Sequence, residues 1–100
     1  MARVHLSEAA FADLVRLEEF LWRSSDPGAY ALLAFILDAL QVLTHQPGIG
    51  RPVEGALRKL IIKRGHSGYL AKYEHDAHTD SVRVLRIRHQ REAGYSIDAL

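Results

Sequence analysis

Cysteine is missing from this chain of 100 residues. That excludes disulfide staples, thiolate zinc or iron–sulfur centres and a thiol nucleophile. Long apolar runs are missing too. The longest, Ala29–Leu37, falls far short of the roughly 20 residues that span a bilayer, and the N-terminus lacks the basic-then-apolar pattern of a secretion signal. There is no GxxxxGKS/T or GxGxxG phosphate loop, no GxSxG elbow and no HExxH frame. These absences point to a cytoplasmic protein with no membrane partner, no cofactor and no metal.

What is present is ordinary globular material, with hydrophobic residues at 48% and charged residues at 25%. The length suits one domain, residues 1–100. The net charge of +1 hides a division: residues 1–50 carry three basic against six acidic groups, residues 51–100 ten against six. A basic half suits an anionic partner, either nucleic acid or an acidic protein segment.

Taken in order, Val4 and Leu6 alternate with Arg3 and His5, as a short strand would. Ser7 is a good N-cap with Glu8 in the first turn behind it. Phe11, Leu14, Val15, Leu17, Leu21 and Trp22 then make a broad apolar stripe at helical spacing, expected to be core. Asp26-Pro27 starts a second helix, expected to run to about Thr44 with Leu33, Ile36, Leu37, Leu40 and Leu43 inside. The prolines and glycines of His45–Pro52 break it. Three β-rich stretches follow, around Leu57–Lys63, Tyr69–Tyr73 and Val82–His89, separated by the turns Gly65–Gly68 and His75–Asp80. The expectation is an α+β fold of two layers: a short N-terminal strand, an antiparallel two-helix hairpin, then three antiparallel strands in one sheet.

Val82–Tyr95, VRVLRIRHQREAGY, concentrates the chemistry. Strict alternation puts Leu85 and Ile87 on one face, and Val82, Val84, Arg86 and Arg88 on the other. Arginine is rarely buried unpaired, so Leu85 and Ile87 are expected inside and the arginines outside. Lys59 and Lys63 alternate on an earlier strand and offer a companion basic row. The candidate binding residues are therefore Lys59, Lys63, Arg86, Arg88, Arg91 and Tyr95. His89 and Tyr95 are the plausible proton-transfer pair, with Arg91 to balance charge. His75 and His78 flank Asp76 in a turn without a metal-ligand frame, and are read as solvated.

The element order, the PGIGRPV segment, GYLAKY and the terminal VLRIRHQREAGY resemble the RelE/ParE superfamily of type II toxins, across nearly the whole chain. That resemblance implies a small bacterial toxin, often labelled a plasmid-stabilisation protein. It also implies an antitoxin, encoded alongside, that folds over the toxin and forms a hetero-oligomer with it. RelE-like members cleave mRNA in the ribosomal A site with basic, histidine and tyrosine side chains. ParE-like members share the fold, lack that constellation and poison DNA gyrase. RelE-like toxins carry an arginine just after the central-strand GY pair, where this chain has Leu70, which favours the ParE-like reading. The alternative is a ribosome-dependent endoribonuclease using His89, Arg91 and Tyr95; a third reading is a non-toxic binding module.

Overall fold

The computed structural model describes residues 1–91. Strand β1 (Arg3–Leu6) leads into helix α1 (Glu8–Arg23). Ser7 caps α1 as its sequence suggests, its hydroxyl accepting from the Ala10 amide at 3.0 Å. At the other end the Ser25 amide donates to the Trp22 carbonyl at 3.1 Å and the Asp26 amide to Leu21 at 2.9 Å. This pair of bonds places Ser25 in the left-handed region, at φ 55°. Asp26 then turns the chain, its Oδ1 accepting from the Gly28 amide at 2.7 Å.

The second helix is shorter than expected. Its α-helical part, α2, spans Leu32–Leu40, with 3₁₀ turns over Ala29–Ala31 and Gln41–Thr44. The rotation toward the core nonetheless persists, burying Ala29, Leu32, Ile36, Leu40 and Leu43. A tighter winding is a common way to finish a helix end.

Among the described residues, five strands form the sheet, in the order β1-β5-β4-β3-β2. The expectation was four. The extra one, β2 (Arg51–Glu54), falls partly in the stretch read as a turn and pairs with β3 (Leu57–Arg64) through a bulge between Pro52 and Glu54. Proline is tolerated there because β2 is an edge strand. Strands β3 and β4 (Ser67–Asp76) join through the two-residue turn Gly65-His66, with Gly65 at φ +60°. Strand β5 (Ser81–His89) runs antiparallel to β4 and parallel to β1, so the first strand closes the sheet beside the last.

Both helices cover one sheet face. The core joins Leu14 and Leu17 of α1 and Leu32, Ile36 and Leu40 of α2 to Ile62, Tyr69, Ala71, Tyr73, Val82, Val84 and Ile87. Half of the α1 stripe does not reach it: Phe11, Val15 and Trp22 stay 55%, 42% and 56% exposed, and Leu37 of α2 is also exposed.

The β5 alternation also departs from expectation. Lys72 sits opposite Arg86 but Tyr73 opposite Val84, so Leu85 is an extra residue. A bulge shifts the alternation by one. Val82, Val84 and Ile87 therefore all face the helices and are fully buried, whereas Leu85 is only partly covered.

Buried Tyr73 ties the proline–glycine loop to the sheet. Its hydroxyl accepts from the Gly50 amide at 2.9 Å and donates to the Pro47 carbonyl at 2.8 Å. A Cβ on Gly50 would lie 2.6 Å from that hydroxyl and 2.9 Å from the Lys59 carbonyl. Tyr73→Phe leaves both loop groups without this partner and should cost about 1–3 kcal/mol, read as a lowered denaturant midpoint. Burial raises the phenol pKa of Tyr73, and that of Tyr69 against the opposing pull of Arg64. The stability this represents is complete below the ordinary phenol pKa of about 10. It should fall as pH rises through the raised values, which stability measurements across an alkaline pH series would show.

Candidate functional site

Strand β1 accompanies β5 only as far as Val84. Beyond it the start of α1 takes over the β5 edge. The Ser7 amide donates to the Val84 carbonyl at 2.9 Å, and the Ser7 hydroxyl to Leu85 at 2.9 Å. The Ile87 amide then donates to Asp13 Oδ2 at 2.9 Å.

The same carboxylate collects the arginines on either side of Ile87. Arg86 binds it through two donors, Nε to Oδ2 at 2.9 Å and Nη2 to Oδ1 at 3.1 Å. Arg88 Nη1 donates to Oδ1, and Arg16 lies 3.7 Å from that oxygen. Asp13 is 4% exposed and Arg88 5%. Arg86 and Arg88 were expected to project freely from an open face; instead both are drawn to the carboxylate that completes the edge. A charge this buried needs an opposite charge and several hydrogen bonds. Asp13 was not among the candidate residues read from the sequence. Its spacing from Ala10, Leu14 and Leu17 was the available signal, since it sets an acid beside the buried positions of α1.

On the helix-free face, register brings four cations together. Arg51 lies opposite Lys59, Lys59 opposite Lys72, and Lys72 opposite Arg86. Adjacent strands are about 4.8 Å apart, so this row crosses four strands in roughly 14 Å. Lys59 is buried at 4% exposure, while Lys63 is exposed two rows further along, opposite Gly68. The next row reads Ile61, Leu70 and Arg88. Leu70 is thus on the same face as the basic row, and 2% exposed. Arg51 and Lys72 were not singled out, because only pairing between strands reveals them as neighbours of Lys59 and Arg86.

His89 opens on the other side. It stands opposite Tyr69, whose ring meets the imidazole edge-to-face at 5.1 Å and 90°. The imidazole Nδ1 accepts from the Arg91 amide at 3.0 Å. Together with Ser67 these residues form one wall of a cleft of about 590 Å³. The facing wall belongs to α1, with Arg16, Leu17, Glu19, Phe20, Leu21 and Arg23, and Asp26 closes one end. His89 and Arg91 are therefore brought together, and the sheet separates them from Lys59 and Lys63. Tyr95 lies outside the described residues.

The second turn holds no metal cluster: among the described residues, no three His, Asp or Glu side chains are placed to share an ion. His75 Nε2 instead sits 3.0 Å from Asp80 Oδ1, with the N-terminal amine 3.4 Å from Oδ2. These neighbours, His75 first, hold the Asp80 carboxyl below its usual pKa.

Residues 4–94 match the family described as the ParE toxin of the type II toxin-antitoxin system, parDE. The chain is also 29% identical over 92 residues to Toxin RelE3 of Caulobacter vibrioides, an alignment covering 92% of this chain and 98% of that relative. Among solved structures it resembles a chain of the chromosomal ParDE TA system from P. aeruginosa, with a TM-score of 0.72 and 22% identity over 89% of this chain and 96% of that one. It also resembles a chain of the toxin-antitoxin complex RelBE2 from Mycobacterium tuberculosis, with a TM-score of 0.58 and 23% identity over 88% and 96%. At these identities the structural likeness speaks for the fold.

Asp13→Ala strands buried Arg88 without the carboxylate it faces and removes the acceptor for the Ile87 amide. Losing one partner of a buried pair typically costs about 3–5 kcal/mol. Thermal unfolding should show a loss of that size, whereas Arg16→Ala, at an exposed and more distant position, should change stability by less than about 1 kcal/mol.

Proposed function

Since the chain belongs to the ParE toxin family of type II toxin–antitoxin systems, we propose that it arrests growth by binding a cellular target such as DNA gyrase, and that a cognate antitoxin silences it. The observation that carries this reading is the engagement of Arg86 and Arg88 with Asp13. Donors already directed at a carboxylate are poorly placed to stabilise charge developing on a phosphorane. Leu70, apolar and beside Arg88 in register, supplies no charge at the position where RelE-like toxins keep an arginine.

Two surfaces support binding to a protein. Phe11, Val15 and Trp22 share one side of α1 by their spacing and remain exposed; uncovered aromatic and branched side chains of this kind suit a partner's apolar side chains. On the sheet, the cross-strand row Arg51, Lys59, Lys72 and Arg86 concentrates positive charge on the helix-free face. Acidic groups of an antitoxin or target would be drawn toward exposed Arg51 and half-buried Lys72, which speeds encounter.

One observation favours the RelE-like alternative. His89 and Arg91 share a cleft with Arg16 and Arg23, and an imidazole among guanidiniums can move a proton while balancing phosphate charge. On that reading the substrate is mRNA on the ribosome.

Purified chain added to a gyrase supercoiling and cleavage assay should stop supercoiling and trap cleaved DNA. Undisturbed supercoiling with no trapped complex would overturn the leading reading. His89→Ala separates the two activities: a nuclease should lose about 10²–10⁴-fold in cleavage rate on translating ribosomes, whereas a gyrase-binding toxin should still arrest growth.

A further inference from the structure

The cleft between α1 and the ends of β4 and β5 is assigned no task by the binding surfaces above. Its volume of about 590 Å³ lies within the 300–1,000 Å³ typical of pockets that enclose a ligand. It is large enough for one or two bulky side chains. Leu17, Leu21 and Tyr69 give it apolar walls, and Phe20 stands over it 65% exposed. An aromatic ring left this open beside a concavity is apolar area that a partner can remove from water.

The charges narrow the occupant. Arg16 and Arg23 are seven residues apart and so fall on the same side of α1, roughly 10 Å from each other along its axis. Arg91 approaches from the end of the sheet, with His89 beside it. Against these cations stand Glu19 and Asp26, with Asp13 beside Arg16; Asp26 is already engaged in capping the Gly28 amide. A wholly apolar occupant would strip water from the guanidiniums without replacing its hydrogen bonds. A bare anion would leave the leucines and Phe20 uncovered. A nucleic-acid strand offers phosphate at every step but little aliphatic surface for a mostly apolar cleft.

We infer that this cleft receives an anchor from the antitoxin: a large apolar side chain with a carboxylate next to it, the apolar part against Phe20, Leu17 and Tyr69 and the carboxylate toward Arg23 and Arg91. The inference rests on the toxin–antitoxin reading and adds to it a second attachment point, on the opposite side of the sheet from the basic row. Two linked contacts bind more tightly than either alone, because the second forms at a high effective concentration. A short antitoxin segment can therefore hold the toxin through a small, well-defined pocket.

The test is the affinity of the antitoxin encoded beside this chain for the wild-type protein and for Phe20→Ser and Arg23→Glu. Both positions are exposed, and matching thermal melts would show that each variant folds. Each variant should bind on the order of tenfold or more weakly. Antitoxin suppressors of Arg23→Glu should replace an acid by lysine or arginine. If both folded variants bind within twofold of wild type, the anchor is not in this cleft, while the toxin–antitoxin reading stands. If the wild-type chain neither arrests growth nor binds the neighbouring product, that reading fails and takes the anchor with it.

Discussion

Where β1 ends at Leu6, β5 continues, and the amide that comes free, that of Ile87, is met by the Asp13 carboxylate. An open strand edge buried against a helix needs such an acceptor, because an unmade backbone hydrogen bond costs about as much as a lost one. The solution introduces a buried negative charge, which then requires compensation. Arg86 and Arg88 supply it from either side of Ile87. The edge, the helix and the two arginines therefore form one electrostatic unit. The position of α1, the course of β5 and the availability of its arginines all follow from that unit.

A second constraint divides the sheet chemically. The extra residue at Leu85 lets Val82, Val84 and Ile87 all reach the core. Without it, uninterrupted alternation would have placed Arg86 on the same face as Val84. With it, arginines and lysines from four strands gather on the side away from the helices, and His89 is left at the helix side with Tyr69 and Arg91. The residues that looked like one cluster in the sequence serve two surfaces.

Much of the architecture was legible because it depends on local signals. Ser7 before Glu8 marked where α1 begins, Asp26-Pro27 marked the turn ahead of the second helical segment, which itself starts at Ala29, and Gly65-His66 marked the hairpin. Other features depend on partners distant in sequence. Strand β2 carries little apolar pattern of its own, since an edge strand is half solvated and Pro52 occupies it. The shortness of α2 reflects tight turns at its ends that the same leucine spacing permits. The exposure of Phe11 and Trp22 was invisible because an apolar stripe has the same spacing whether the chain's own core or another molecule covers it. The site was harder to read than the fold. Lys59, Arg86 and Arg88 were singled out from the sequence, but only the register of four strands and the reach of Asp13 across 75 residues of sequence show that Arg86 and Arg88 are tethered to a carboxylate.

The parallel pairing of β1 with β5 has a further consequence, in time. The first strand has no place to settle until the last has been made, and Asp13 has no amide or guanidinium to receive until Ile87 and its neighbours arrive. Contacts this distant in sequence are slow to form, since a long loop must close before they are rewarded. A chain emerging from the ribosome therefore carries its two helices well before it carries a finished sheet. The row of cations, and the cleft at the sheet's end, come into being only once β5 has been made.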